Sequence, residues 1–259
     1  MRQLLLTFIY SLLFFISLSS QAQQNLGHTW STVLNNPSPN GGSLNSRGIR
    51  VDAAGNIYVI GDFSNTVDVD PGPGTFNLIS AGINDVFFAK FDTNGNLLYA
   101  KQFGGTGNEF GRQLAIDASG NVYLTGQFQG TVDFDPGTAT ANLSSSGNED
   151  VFFAKFDANG NYLFAKSIGS TGGDRGYGIT VDGSSNVYVT GYYQLTADFD
   201  PGAGTANLTS AGSSDIFFAK YDANGNYVYA RSIGSTGLDI CFSIAVDGSA
   251  NVYITGQFQ

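Results

Sequence analysis

Carboxylates recur in this sequence at spacings that suit two chemistries. Asp68-Val69-Asp70-Pro71-Gly72 returns as Asp133-Phe134-Asp135-Pro136-Gly137 and as Asp198-Phe199-Asp200-Pro201-Gly202. Asp85, Asp150 and Asp215 follow, and after them Glu109, Asp174 and Asp239. Alternate residues of an extended segment point to one side. Asp68 and Asp70 with Asp85, and their equivalents Asp133, Asp135, Asp150 and Asp198, Asp200, Asp215, therefore offer hard oxygen ligands suited to Ca²⁺, with Pro-Gly turning backbone carbonyls inward. In the second reading the same carboxylates accept hydrogen bonds from backbone amides in an Asp-Pro-Gly turn and at the start of a strand. The spacing is not that of an EF-hand loop. Paired carboxylates also serve glycoside hydrolysis, but identical pairs in successive units point to scaffolding, because a catalytic centre needs one asymmetric site.

Composition narrows the chemistry further. A single His, His28, and a single Cys, Cys241, leave no material for His-based catalysis, a disulfide framework or a multi-cysteine zinc site. A net charge of −10 argues against nucleic acid and anionic membrane surfaces as partners. Gly169-Ser170-Thr171-Gly172-Gly173 resembles a phosphate cradle but lacks the Lys and the helix of a P-loop, and reads as a turn. Lys90, Lys155 and Lys220 read as partners of a nearby Asp, and Cys241 as a small buried filler in the slot of Gly111 and Gly176.

The elements that must position these residues follow from an internal repeat. Val51-Asp52, Ile116-Asp117, Val181-Asp182 and Val246-Asp247 stand 65 residues apart each time. Asn121-Val122-Tyr123-Leu124-Thr125-Gly126 and Asp150-Val151-Phe152-Phe153-Ala154-Lys155-Phe156-Asp157 recur in the same register. Each unit contains four strand-like runs, in the second unit Gln113–Ile116 (A), a run starting at Asn121 (B), Val151–Phe156 (C) and Tyr162–Lys166 (D). Asp, Asn and Gly between A and B and between C and D predict tight hairpins. Ser185 and Ala250 replace the A–B glycine, with Gly183 or Gly248 expected to absorb the change. No window past the first residues shows a helical apolar period. Strand C is apolar on both faces, as in a small sheet held between two similar sheets. Such sheets repeating radially are propeller blades.

The pattern Asp-x-x-Gly-Asn-x-Tyr-x-Thr-Gly, followed by Phe-Phe-Ala-Lys-Phe-Asp-x-Asn-Gly-Asn, resembles the seven-bladed β-propeller repeat family of secreted bacterial proteins (SBBP-type repeats) over about residues 46–259. The resemblance implies architecture rather than an activity. The expected fold is all-β, a propeller of four-stranded antiparallel blades, with units 51–115, 116–180 and 181–245 and a partial unit 246–259. About three and a half blades form an incomplete ring, which reads as a piece of a longer protein. Residues 1–22 read as a secretory signal peptide: Arg2, an apolar run from Leu4 to Leu18, and Ser20-Gln21-Ala22 as the cleavage site. In segment 23–50, Trp30-Ser31-Thr32-Val33 aligns with strand D and offers a closing strand. No later stretch is apolar enough to span a bilayer.

Strand order fixes the expected binding face. A–B and C–D hairpins leave at one end of a blade, and the long B–C and D–A connections at the other, where loops carry function. The sequence thus predicts a secreted or cell-surface, non-enzymatic binding or scaffolding protein whose ligand is an extracellular protein or carbohydrate. The competing class is an extracellular hydrolase or lyase on the same scaffold, or the propeller region of a larger adhesin or enzyme. Nineteen of the 21 acidic residues fall at six recurring positions, leaving Asp62 and Glu149 outside.

Overall fold

A computed structural model describes residues 41–259, and every regular element among them is a strand. The expected signal peptide (1–22) and the Trp30 segment expected to close the ring lie outside the described residues. The first unit holds β1 (Ser43–Val51), β2 (Ile57–Ser64), β3 (Thr66–Asp68), β4 (Asn77–Ile79), β5 (Asp85–Phe91) and β6 (Leu97–Phe103). The second holds β7 (Phe110–Ile116), β8 (Val122–Phe128), β9 (Thr131–Asp133), β10 (Asn142–Ser144), β11 (Asp150–Phe156) and β12 (Tyr162–Ile168). The third holds β13 (Arg175–Val181), β14 (Val187–Tyr193), β15 (Thr196–Asp198), β16 (Asn207–Thr209), β17 (Asp215–Tyr221) and β18 (Tyr227–Ile233). β19 (Ile240–Val246) and β20 (Val252–Gln257) form a two-stranded sheet.

Each full unit is a four-stranded antiparallel sheet in chain order, β1-β2-β5-β6, β7-β8-β11-β12 and β13-β14-β17-β18. These are the predicted A, B, C and D strands. Each sheet starts a strand ahead of its sequence landmark: Val51 ends β1, which begins at Ser43 within segment 23–50. The B–C connection is not a plain loop. It folds into a two-stranded ribbon, β3–β4, β9–β10 or β15–β16. Three-residue strands are too short to stand out by alternation, which is why the sequence shows four strands per unit and the structure six.

The sheets are joined face to face by aromatic packing. β5 and β11 are almost entirely buried, as their two apolar faces require. Phe88 meets Phe156 of the next sheet at 4.6 Å between ring centroids, and one repeat later Phe153 meets Tyr221 at 4.3 Å. Val69, Phe134 and Phe199, between the two acids of each Asp-x-Asp-Pro-Gly, are fully buried and anchor the ribbons to this core. Burying one such ring contributes about 1.5–3 kcal/mol.

The A–B turns need one left-handed residue each. Gly55 and Gly120 take φ of 84° and 81°. In the third and fourth units Ser185 and Ala250 adopt φ 62° themselves, so Gly183 and Gly248 do not absorb the change as expected. The turn's Asp, whose carboxylate fixes the surrounding amides, outweighs the local preference.

Candidate functional site

The repeated acids are occupied by the chain's own backbone. Asp117 Oδ1 accepts from the amides of Ser119 and Asn121, and its Oδ2 from Asn121 Nδ2 and Tyr123 OH. Burial raises its carboxyl, and these hydrogen bonds more than reverse that, leaving it below the ordinary value. Asp157 repeats the turn between C and D. In the ribbons, Asp68 Oδ1 accepts from the amides of Asp70 and Phe76, and Asp70 Oδ1 from that of Gly72. Asp133 and Asp135, and Asp198 and Asp200, repeat this.

The third member of each proposed ligand set opens strand C. Asp85 and Asp150 are buried, each with one oxygen on a loop amide, Ala81 or Ser146, and the other unpartnered. Asp215 shares both oxygens with the Ala211 amide. Among the described residues no three His, Cys, Asp or Glu side chains gather closely enough to hold a metal ion. Glu109, Asp174 and Asp239 are buried where one sheet passes to the next, each accepting from a loop amide, that of Gly105, Ser170 or Ser235. Burial, then the like charge of Asp85, pushes the Glu109 carboxyl up to about 7. Burial raises Asp150 to about 6.

The non-repeating residues gather elsewhere. Pairing of the first strand with the second shifts register between Ser46 and Gly48, Gly111 and Gln113, Gly176 and Gly178, and Cys241 and Ser243. Each shift is a β-bulge, in which one residue has no partner and is re-aimed. The four bulged residues are Arg47, Arg112, Tyr177 and Phe242. They stand towards the start of β1, β7, β13 and β19, the end at which the D–A connections arrive, and these four strands are neighbours in series.

A glycine in the second strand makes each bulge possible. A Cβ on Gly61, Gly126 or Gly191 would lie 1.9, 1.8 or 1.8 Å from the carbonyl oxygen of Asn45, Phe110 or Arg175. The glycine of the Tyr-x-x-Gly motif is thus where the bulged strand presses onto its neighbour.

Side chains along this row form a continuous chain of contacts. Arg47 Nε donates to Asp62, and its guanidinium lies 5.7 Å from the Phe110 ring centroid. Arg112 lies 5.2 Å from the centroids of both Phe110 and Tyr177 and donates from Nε to Gln127 Oε1 at 3.0 Å. Tyr177 packs against Tyr192 and Phe242, at 6.0 and 5.9 Å. Arg175 stands over Tyr192 and donates to Glu149 at 2.5 Å. Burial lowers Arg112, and the like charges of Arg47 and Arg175 add to this. Asp62 and Glu149, the two acids outside the repeat, are the partners of Arg47 and Arg175. The sequence carried this signal in those two acids and in a position that reads Arg, Arg, Tyr, Phe where its surroundings repeat. The bulge that brings them together has no signature of its own beyond the glycine.

Two other features lie at the opposite, hairpin end. A cleft of about 500 Å³ between the A–B turns of the first two units is lined by Asp52, Tyr58, Lys90, Asp117 and Ser119. One unit on, Ser185 donates to Asp117 from the position that Gly120 holds in the open cleft. The strand-C lysines lie over tyrosine rings, at 4.9 Å for Lys90 and Lys220 and 5.0 Å for Lys155, and Lys220 also pairs with Asp182 at 3.6 Å. Cys241 is buried with no disulfide partner.

Residues 164–192 match the beta-propeller repeat family SBBP. The chain is similar to an uncharacterized WD repeat-containing protein of Acanthamoeba polyphaga mimivirus, 31% identical over 200 residues, covering 68% of this chain and 14% of that protein. It is also similar to the regulatory protein FlaEY of Caulobacter vibrioides, 27% identical over 202 residues, covering 76% and 20%. The chain thus spans a fifth or less of the curated relatives it matches. A crystal structure of a protein of unknown function from Bacteroides caccae aligns over 78% of this chain and 86% of its own at 12% identity, with a TM-score of 0.25 that bears no weight. Residues 164–192 thus resemble a beta-propeller repeat of the SBBP type, and the 65-residue period and recurring four-stranded sheets carry the same unit along the described residues.

Proposed function

We propose that this chain is a secreted or cell-surface, non-catalytic binding module, and that the bulge row of the first strands is its contact surface. One observation carries the reading: nearly all the repeated acids are spent on the chain's own backbone, while the singular Arg, Tyr and Phe side chains converge on one row. Bulges re-aim side chains next to functional sites, and Arg and Tyr are the residue types that dominate binding energy at interfaces. The leader-like residues 1–22 support export, and the repeat relatives support a contact role over turnover.

The test is an array of extracellular glycans and peptides probed with the wild-type chain and with Tyr177→Ser and Phe242→Ser. Both positions are partly exposed, so folding survives, and a melting curve checks it. Binding that falls at least tenfold in both variants, about 1.4 kcal/mol, is the expected outcome. Ligands held equally by wild type and variants would place the contact surface elsewhere. Release of product from a bound glycan would overturn the non-catalytic part. Fractionation of cells expressing the full chain tests export, with cytoplasmic retention of an intact N-terminus as the refuting result.

A further inference from the structure

The row contains one cation without a direct ion pair among the described residues. Arg47 has Asp62 and Arg175 has Glu149, each in a direct ion pair. Arg112, between them, has only the neutral oxygen of Gln127, bonded to Nε. Its terminal nitrogens donate to nothing among the described residues. The group is half-buried, so water does not fully solvate it, and it lies between two other guanidinium groups.

A second observation at the same place points the same way. Gln127 is 1% exposed, and its amide nitrogen has no hydrogen-bond partner. The orientation of that amide follows from Arg112, because turning it over would set donor against donor. A buried donor left unpaired costs about 1–3 kcal/mol, and the cost is recovered when an acceptor arrives. The two terminal guanidinium nitrogens of Arg112, and the amide nitrogen of the Gln127 side chain it bonds, therefore lack an acceptor among the described residues.

We propose that Arg112 and Gln127 form a binding site for a carboxylate group of the ligand. The shape of the site selects among anions. Phe110 and Tyr177 both lie against Arg112, its centre 5.2 Å from each ring centroid, so a ligand reaches it along the free edge. A planar carboxylate fits the edge of a planar fork with two parallel hydrogen bonds. A phosphate brings more charge towards Asp62 and Glu149, which repel it. The ring faces add contact area for the hydrocarbon that bears the carboxylate. This deepens the reading of the row as a contact surface and rests on it.

The experiment is calorimetric titration of the full chain with glucuronate, N-acetylglutamate, glucose and inorganic phosphate, on wild type, Arg112→Lys, Arg112→Gln and Arg50→Gln. Arg50 is an exposed arginine that bonds the Ile49 carbonyl of its own strand and serves as the control. Wild type should bind a carboxylate with a Kd of about 1–10 mM, ordinary for a small fragment. Arg112→Gln should weaken it at least tenfold and Arg112→Lys nearly as much, because a point charge cannot replace the fork. Arg50→Gln should leave it unchanged. Binding of glucuronate alone assigns an acidic sugar, and binding of N-acetylglutamate alone an acidic peptide side chain. Arg112→Lys keeps the charge and the packing, so the test survives if Arg112→Gln does not fold. No heat with either carboxylate, equal affinity for glucose, wild-type affinity in both Arg112 variants, or tighter binding of phosphate would each overturn the proposal. An array ligand that needs Tyr177 but carries no carboxylate would overturn it while leaving the contact row standing.

Discussion

The six repeated acid positions and the bulge row are built from opposite kinds of sequence. At the acid positions a carboxylate returns every 65 residues and meets equivalent amides, as Asp52, Asp117 and Asp182 do at three A–B turns. In the bulge row the backbone repeats while the side chains change from Arg47 to Arg112, Tyr177 and Phe242. Repetition here records what every sheet needs in order to close its turns. The singular residues record what only one place in the molecule has to do. The acids themselves divide by electrostatics: the A–B turn carboxylate Asp117 is held below its ordinary value, whereas Glu109, at the passage between sheets, and Asp150, at the start of strand C, are raised.

The largest way to break this comparison is to remove the backbone contact that makes a bulge. An alanine at position 126 would put its Cβ 1.8 Å from the Phe110 carbonyl oxygen and 2.8 Å from the Phe152 ring, with no flexible group to yield. Gly126→Ala is expected to lower stability by about 3 kcal/mol or more. Gly183→Ala is the matched control, because nothing lies within 4 Å of the added carbon. Urea denaturation of both measures the gap. If the two variants unfold alike, the glycine serves the strand and not the bulge.

A smaller effect separates the two classes of acid by pH. The folded Glu109 carboxyl titrates near 7, above its ordinary 4.5. Between those values the folded state holds a proton that the unfolded chain has released, so stability falls as pH rises through the window. Above pH 7 the ionised, buried carboxylate weighs fully against the fold. Glu109→Gln should therefore be more stable than wild type at pH 8, by about 1–2 kcal/mol, and should gain nothing at pH 4. The turn acid Asp117 behaves oppositely, since its lowered value contributes stability that is lost only as pH falls below the ordinary 3.8. Melting curves at both pH values decide the matter. A gain of equal size at pH 4 and pH 8 would show that ionisation of Glu109 is not what weakens the fold.

Much of the fold could be read directly, because a period without insertions repeats every landmark and the strand-C residues Phe152 and Phe153 are apolar on successive positions. The ribbons could not, since three-residue strands such as Thr131–Asp133 leave too short a pattern to alternate. The left-handed Ser185 and Ala250 were hidden for a different reason: the hydrogen bonds of Asp182 and Asp247 dictate the turn whatever residue stands there. The bulge row was visible only as exceptions to the repeat. Arg112 and Gln127 share one hairpin but Tyr177 stands a full repeat away from Arg112, and their meeting depends on a register shift that no single segment encodes.

The smallest effect tests whether a singular residue always marks the contact surface. Leu195 is more than half exposed and adopts φ 57° at the corner between β14 and β15, where the other units have Asn65 at 57° and Gly130 at 75°. The left-handed region costs a leucine about 1–2 kcal/mol, of which glycine returns part through its greater freedom when unfolded. Leu195→Gly should raise stability by about 0.5–1 kcal/mol, read as a small upward shift in melting temperature. The same variant on the glycan and peptide array separates two meanings of that strain. Unchanged binding makes Leu195 a singular residue without a role in contact, so that singularity points to the site only where bulges gather it. A loss of binding together with the gain in stability makes the strain functional, and carries the contact surface from the bulge row out to the corner of the third ribbon.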